Sequence, residues 1–140
     1  MYIAQKGLKV DGHKYISQAL EKGAKAIICE LIPKELKENV VYVLVKNTAK
    51  TLGIISSNFY DNPSEKIKLV GITGTNGKTS IASLLLELFT KQGCNCGLFS
   101  TVKIQYGDKV YNNSFTTPDA ISLNIFLALV LKTGAATVAP

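Results

Sequence analysis

Between the apolar, β-rich run Lys68-Leu-Val-Gly-Ile-Thr73 and an amphipathic stretch from about Lys78 to Gln92, the chain carries Gly71-Ile-Thr-Gly-Thr-Asn-Gly-Lys-Thr79. A strand that enters a glycine-rich turn and leaves as a helix is a strong constraint on the fold. Gly74 and Gly77 let the backbone turn tightly with its N–H groups pointing inward, the arrangement that cradles di- and triphosphate oxygens. The helix N-terminus adds partial positive charge to that cradle. Lys78 supplies a point charge for β- and γ-phosphates, and the Thr79 hydroxyl suits a bridging Mg²⁺. The loop departs from the strict G-x-x-x-x-G-K-[ST] pattern, which places glycine at position 72 where this chain has Ile72. It is a variant phosphate loop.

The flanking sequence alternates strand and helix patterns, which predicts an α/β fold with parallel sheets. Tyr2-Ile-Ala reads as the end of a strand, and Asp11 as the cap of a short helix that carries Tyr15, Ile16, Ala19 and Leu20 and stops at Gly23. Ala26 to Cys29 reads as a buried strand and Val40 to Val45 as the clearest strand of all, by its β-branched content. Asn47 or Thr48 caps a helix with Ala49, Leu52, Ile55 and Phe59 at helical spacing, and Asp61-Asn62-Pro63-Ser64 breaks the pattern. That break predicts one domain over residues 1–62 and the start of a second over 63–140. Within the second, Ile81, Leu84, Leu85, Leu88 and Phe89 are expected to form the apolar face of the helix after the loop. A strand at Gly97 to Ser100, a hairpin turning at Gly107-Asp108, and a helix from Ala120 to about Leu131 capped by Thr117 or Asp119 complete the pattern.

Composition excludes several classes of function. Of 140 residues 46% are hydrophobic and 19% charged, so a buried core is expected rather than disorder. The longest apolar stretch, Ile121 to Leu131, is interrupted by Ser122 and Asn124 and falls short of a membrane span. The N-terminus has neither a basic segment nor a long apolar one, so a cytoplasmic location is expected. A net charge of +6 favours anionic partners, but the lysines are scattered and no basic stripe with interleaved aromatics marks a nucleic-acid surface. Cys29, Cys94 and Cys96 lack the spacing of a zinc site, and an odd count argues against a disulfide framework. His13 is the only histidine, which excludes any mechanism within the chain that needs two.

Thr73-Gly-Thr-Asn-Gly-Lys-Thr-Ser80 resembles the ATP loop of the Mur ligases, which add amino acids to the peptidoglycan stem peptide. Asn76 departs from the alanine-adding branch, which has His there, and Thr79-Ser80 departs from the G-K-G-S of folylpolyglutamate synthetases. Tyr2-Ile-Ala-Gln-Lys-Gly7, Asp11-Gly-His-Lys-Tyr-Ile16 and Gly23-Ala-Lys-Ala26 look like the uridine-nucleotide-binding domain of the tripeptide-forming branch, the MurE type. Phe115-Thr-Thr-Pro-Asp119 resembles that branch's contact segment for the muramoyl-dipeptide. The resemblance implies a small N-terminal uridine-nucleotide-binding α/β domain followed by the start of a P-loop, parallel-sheet ATP-binding domain. It implies ATP contacts from Gly74, Thr75, Asn76, Gly77, Lys78 and Thr79, with Lys78 catalytic and Thr79 the Mg²⁺ ligand. It also implies substrate contacts from Leu8, Lys9, Val10, Thr116 and Thr117.

The implied reaction adds meso-2,6-diaminopimelate, or L-lysine, to UDP-N-acetylmuramoyl-L-alanyl-D-glutamate. The substrate carboxylate attacks the ATP γ-phosphate, and the incoming amine displaces phosphate from the acyl phosphate. A full-length member is expected to be a monomer. Two alternatives stay open, a D-alanyl-D-alanine-adding ligase and a catalytically inert nucleotide-binding module. The family also has an earlier strand with an Asp-Ser-Arg segment and, past the last helix, a further strand with an acidic residue, a carbamylated lysine and a C-terminal domain. None is read in this sequence, so the chain is expected to be an inactive fragment, with no strand in Lys132 to Pro140.

Overall fold

The computed structural model describes residues 1–7, 10–106, 109–112, 119–134 and 136–139. Its packing separates two compact units, Met1–Ile55 and Ser56–Pro140.

The first unit is built on a parallel three-stranded sheet of β1 (Tyr2–Ile3), β2 (Ala26–Cys29) and β3 (Val41–Leu44), in that order. Tyr2 pairs with Ile27, and Ala26 to Cys29 run alongside Val41 to Leu44. The central strand β2 contributes buried Ile27, Ile28 and Cys29, and the first and last of these pack with Ala4 and Ile16. The strongly β-branched run Val40 to Val45 yields the edge strand β3, Val41–Leu44, whose Val41 is 62% exposed. Asp11 caps a short 3₁₀ turn, Gly12–Tyr15, which leads into α1 (Ile16–Glu21), and Gly23 ends it with φ of +88°. Gly12 is required by close approach: a Cβ there would lie 2.7 Å from the Gln5 carbonyl oxygen, which the Gly12 N–H already contacts.

Helix α2 (Thr48–Phe59) begins in the first unit, where the Lys50 N–H donates to Asn47 Oδ1 at 2.8 Å, as expected of a cap. The division between the compact units falls inside this helix, between Ile55 and Ser56. The reason is local to the second unit. Ser56 is buried and donates its hydroxyl to the Ala120 carbonyl at 3.1 Å, and the 3₁₀ turn Pro63–Glu65 packs against the helix that starts at Ala120.

The second unit contains a five-stranded sheet in the order β4 (Leu69–Gly71), β8 (Ala136–Ala139), β5 (Cys96–Phe99), β6 (Lys103–Tyr106) and β7 (Lys109–Asn112). The first three strands are parallel, and β6 and β7 form the expected antiparallel hairpin, whose turn at Gly107-Asp108 lies outside the described residues. Strand β8 corrects the expectation of no strand in Lys132 to Pro140. It pairs with β4 on one side and β5 on the other, so it lies inside the sheet, whose edges are β4 and β7. Its sequence, Ala-Thr-Val-Ala, is too short and too poor in large apolar residues to stand out as a strand by pattern.

Side chains of β5 alternate between two helices. Cys96 and Leu98 pack with Ala82 and Leu86 of α3 (Lys78–Lys91), whereas Phe99 packs with Phe126, Leu127 and Val130 of α4 (Ala120–Lys132). The result is a sheet with a helix on each face, the layering that parallel strands need. The inward face of α3 differs from the expected one. Ala82 and Leu86 are buried, while Leu85 and Phe89 pack beside them. Ile81, Leu84 and Leu88 are 48%, 65% and 49% exposed. The apolar residues cover a wide arc of the helix, so periodicity alone does not choose which part of it turns inward. Asp119 caps α4, accepting from the Ile121 and Ser122 N–H groups at 2.9 Å each. Hydrogen bonds from Ser122 hold its carboxyl below the usual aspartate range. The cap is worth about 1 kcal/mol to the helix.

Candidate functional site

The glycine-rich loop joins the C-terminal end of β4 to the N-terminus of α3. Gly74 and Gly77 adopt φ of +150° and +79°, conformations that side chains disfavour, so both glycines serve the turn. Ile72 has a packing role: its side chain lies against the cluster of Ala82, Leu86, Cys96 and Leu98, pinning the start of the loop to the core. This accounts for an apolar residue where the strict pattern has glycine.

Gly77 is the N-cap residue of α3 and brings no side chain to cap it, so the first-turn N–H groups stay available to a ligand. Among the described residues, the Thr75, Asn76 and Gly77 N–H groups also have no hydrogen-bond acceptor. Thr75 and Asn76 are exposed, and Lys78 and Thr79 are half-buried at the base of the loop. The Lys78 ammonium turns back onto the carbonyl oxygens of Gly74 and Thr75. Thr79 Oγ1 lies 3.3 Å from Thr101 Oγ1, at the end of β5. Gly74 to Thr79 are therefore brought together as one exposed, donor-rich turn at the C-terminal edge of the parallel strands, where open α/β folds bind ligands. The donor set suits polyphosphate: an ammonium, a run of N–H groups and a hydroxyl oxygen. Among the described residues no three His, Cys, Asp or Glu side chains converge on a metal position. The Thr79 hydroxyl is an oxygen donor of the kind Mg²⁺ accepts.

In the first unit a cleft of about 660 Å³ opens at the C-terminal ends of the strands, lined by Lys6, Asp11, His13, Glu30, Leu44 and Lys46 among others. His13 is fixed there by three bonds. Its Nδ1 lies 2.7 Å from Asp11 Oδ1, and its Nε2 accepts from the Glu30 and Leu31 N–H groups at 2.9 and 3.3 Å. Two donors on Nε2 leave the ring proton to Nδ1, which donates it to Asp11. The His13 N–H and ring hold the Asp11 carboxyl below its ordinary range. The Thr48 N–H and hydroxyl do the same for Glu30, each donating to Oε1 at 2.8 Å. Sequence reasoning found Asp11 as a cap but missed this cluster, because Glu30 and Thr48 sit at the ends of separate elements. The one local signal was a histidine two residues after a capping aspartate.

Of the expected substrate contacts, Val10, which precedes Asp11 in the chain, is 53% exposed, and its carbonyl accepts from the Gly7 N–H at 2.9 Å. Leu8, Lys9, Thr116 and Thr117 lie outside the described residues.

Comparison with known families places the site in context. The Mur ligase family, catalytic domain, matches residues 1–60, and the Mur ligase middle domain matches residues 72–139. The chain belongs to the Mur ligase family. It is 50% identical over 135 residues to the UDP-N-acetylmuramoyl-L-alanyl-D-glutamate–2,6-diaminopimelate ligase of Cytophaga hutchinsonii, covering 96% of this chain and 28% of that protein. The enzyme of the same name from Bacteroides fragilis is 46% identical over 134 residues, with the same coverage. The chain thus spans about 28% of the length of these relatives. A solved 2,6-diaminopimelate ligase of this kind superposes with a TM-score of 0.72 at 23% identity, over 99% of this chain and 28% of that one. MurF ligase from Thermotoga maritima, solved in complex with ADP, gives 0.54 at 22% identity, over 98% and 27%. At these identities the structural likeness establishes the Mur ligase α/β fold. Among the described residues no helix is long and apolar enough to cross a membrane.

Proposed function

We propose that this chain supplies the uridine-nucleotide-binding region and the ATP phosphate loop of a cytoplasmic ligase that joins meso-2,6-diaminopimelate to UDP-N-acetylmuramoyl-L-alanyl-D-glutamate. The observation that carries the reading is 50% identity, over 96% of the chain, to a ligase named for that reaction. The substrate-binding region is assigned to residues 1–62 and the start of the ATP-binding region to 63–140, a reading supported by the two separate family matches over residues 1–60 and 72–139.

In this reading the N–H groups from Gly74 to Thr79 cradle the ATP phosphates. Lys78 exchanges the carbonyls of Gly74 and Thr75 for β- and γ-phosphate oxygens as the γ-phosphoryl group moves to the substrate carboxylate. A bound Mg²⁺, held through the Thr79 hydroxyl, contributes neutralisation of phosphate charge. Catalysis of phosphoryl transfer is mainly positioning and charge compensation, which this loop is built to provide. Leu8, Lys9 and Val10 contact the uridine diphosphate end of the substrate, and Thr116 and Thr117 its peptidyl end.

The test is calorimetric titration of the chain with ATP in the presence of Mg²⁺ and, separately, with UDP-N-acetylmuramoyl-L-alanyl-D-glutamate. One-to-one saturable binding of each is expected. A folded chain that binds neither would overturn the proposal.

A further inference from the structure

Thr79 has a hydroxyl neighbour that the phosphate-loop motif does not require. Strand β5 ends at Phe99 and β6 begins at Lys103, so Thr101 and Val102 form the tip of a tight connection. Ser100, 1% exposed, locks that connection. Its N–H and its hydroxyl both donate to the Lys103 carbonyl at 2.9 Å, and its Oγ accepts from the Lys103 N–H at 3.1 Å. Val102 points outward and is 61% exposed, while Thr101 is half-buried with its hydroxyl 3.3 Å from that of Thr79. The turn therefore presents one hydroxyl to the base of the phosphate loop from a strand that is not part of it.

A threonine hydroxyl has one proton and two lone pairs. To ligate a cation through oxygen, Thr79 must turn its proton away from the positive charge and into an acceptor. Among the described residues, Thr101 Oγ1 is the side-chain acceptor recorded within reach of Thr79 Oγ1. At 3.3 Å the contact is long for a hydroxyl pair, of the kind that shortens when a ligand fixes one partner.

We propose that Thr101 is a positioning residue for the cation that accompanies ATP: it accepts the Thr79 hydroxyl proton and so leaves a Thr79 lone pair directed at the metal. This rests on the reading of residues 74–79 as an ATP site. Outer partners of metal ligands commonly govern metal affinity by about tenfold or more.

The experiment is titration of the chain with ATP, once with Mg²⁺ and once with EDTA, for the parent, Thr101→Val, Thr101→Ala and Thr101→Ser. Thr101→Val keeps the shape and loses the acceptor, Thr101→Ala does so without added bulk, and Thr101→Ser restores the hydroxyl. The parent and Thr101→Ser are expected to bind ATP more tightly with Mg²⁺. Thr101→Val and Thr101→Ala are expected to lose about tenfold of that gain, with affinity in EDTA unchanged. The two hydroxyl-free variants keeping the full gain, or a parent that binds ATP equally with and without Mg²⁺, would overturn the role of Thr101 and leave the phosphate loop standing. A parent that binds no ATP under either condition would overturn the loop reading and this proposal together.

Discussion

Lys78→Ala is expected to weaken ATP binding by about 1.5–3 kcal/mol, the scale of a hydrogen bond to a charged group. That is a loss of roughly ten- to one-hundred-and-fifty-fold in affinity. The full attraction between an ammonium and a polyphosphate is larger, but Lys78 does not start from water. Its ammonium already rests on the carbonyls of Gly74 and Thr75, and binding exchanges those acceptors for phosphate oxygens. The same contacts lie at a half-exposed loop, so the variant should melt close to the parent and the loss should appear in titration alone. Superimposable ATP titrations for variant and parent would show that the loop is not used as proposed.

Gly97→Ala is expected to destabilise the second unit by about 1–3 kcal/mol, the range for forcing one extra carbon into a packed core. Gly97 lies in β5, buried on both faces, and a Cβ there would stand 2.7 Å from Val130 Cγ2 and 3.2 Å from Phe126 Cζ. Val130 is fully buried and β-branched, so it has little rotamer freedom with which to retreat. Phe126 is held edge-on to Phe99, with ring centres 5.1 Å apart. The strain therefore falls on the seating of α4 against the sheet. Gly53→Ala makes the contrast: Gly53 lies in α2 with open space around it, and the change should stabilise by up to about 1 kcal/mol through helix propensity. Urea midpoints measured for both variants check the pair, and equal midpoints would contradict the packing around Gly97.

What the sequence made legible was whatever a short window of residues decides. The phosphate loop is such a case, since glycine placement, Lys78 and Thr79 are all local, and the flanking strand and helix confirm the context. The caps at Asp11, Asn47 and Asp119 are also local, because an acceptor side chain and the N–H it serves lie two or three residues apart. Long-range packing was not legible. Ile72 reads as a departure from a motif until its packing against the cluster of Ala82, Leu86, Cys96 and Leu98 gives it a role. Strand β8 has no pattern of its own and is a strand because β4 and β5 leave a gap with exposed backbone on both sides. The inward face of α3 is set by the sheet it meets, and the His13–Asp11–Glu30–Thr48 cluster by the meeting of three segments. The roles given to Leu8, Lys9, Thr116 and Thr117 rest on sequence resemblance.

The central claim, that this chain is functionally equivalent to the corresponding region of a diaminopimelate-adding Mur ligase, is tested most directly by exchange. The matching region of the Cytophaga hutchinsonii ligase, 28% of that protein, is replaced by this chain, and phosphate release is followed with ATP, Mg²⁺, UDP-N-acetylmuramoyl-L-alanyl-D-glutamate and meso-2,6-diaminopimelate. The account expects the chimera to release phosphate only when both the nucleotide substrate and the amino acid are present, and Lys78→Ala in the chimera to abolish it. A chimera that melts cooperatively and binds ATP yet releases no phosphate, while the parent ligase does, would contradict it.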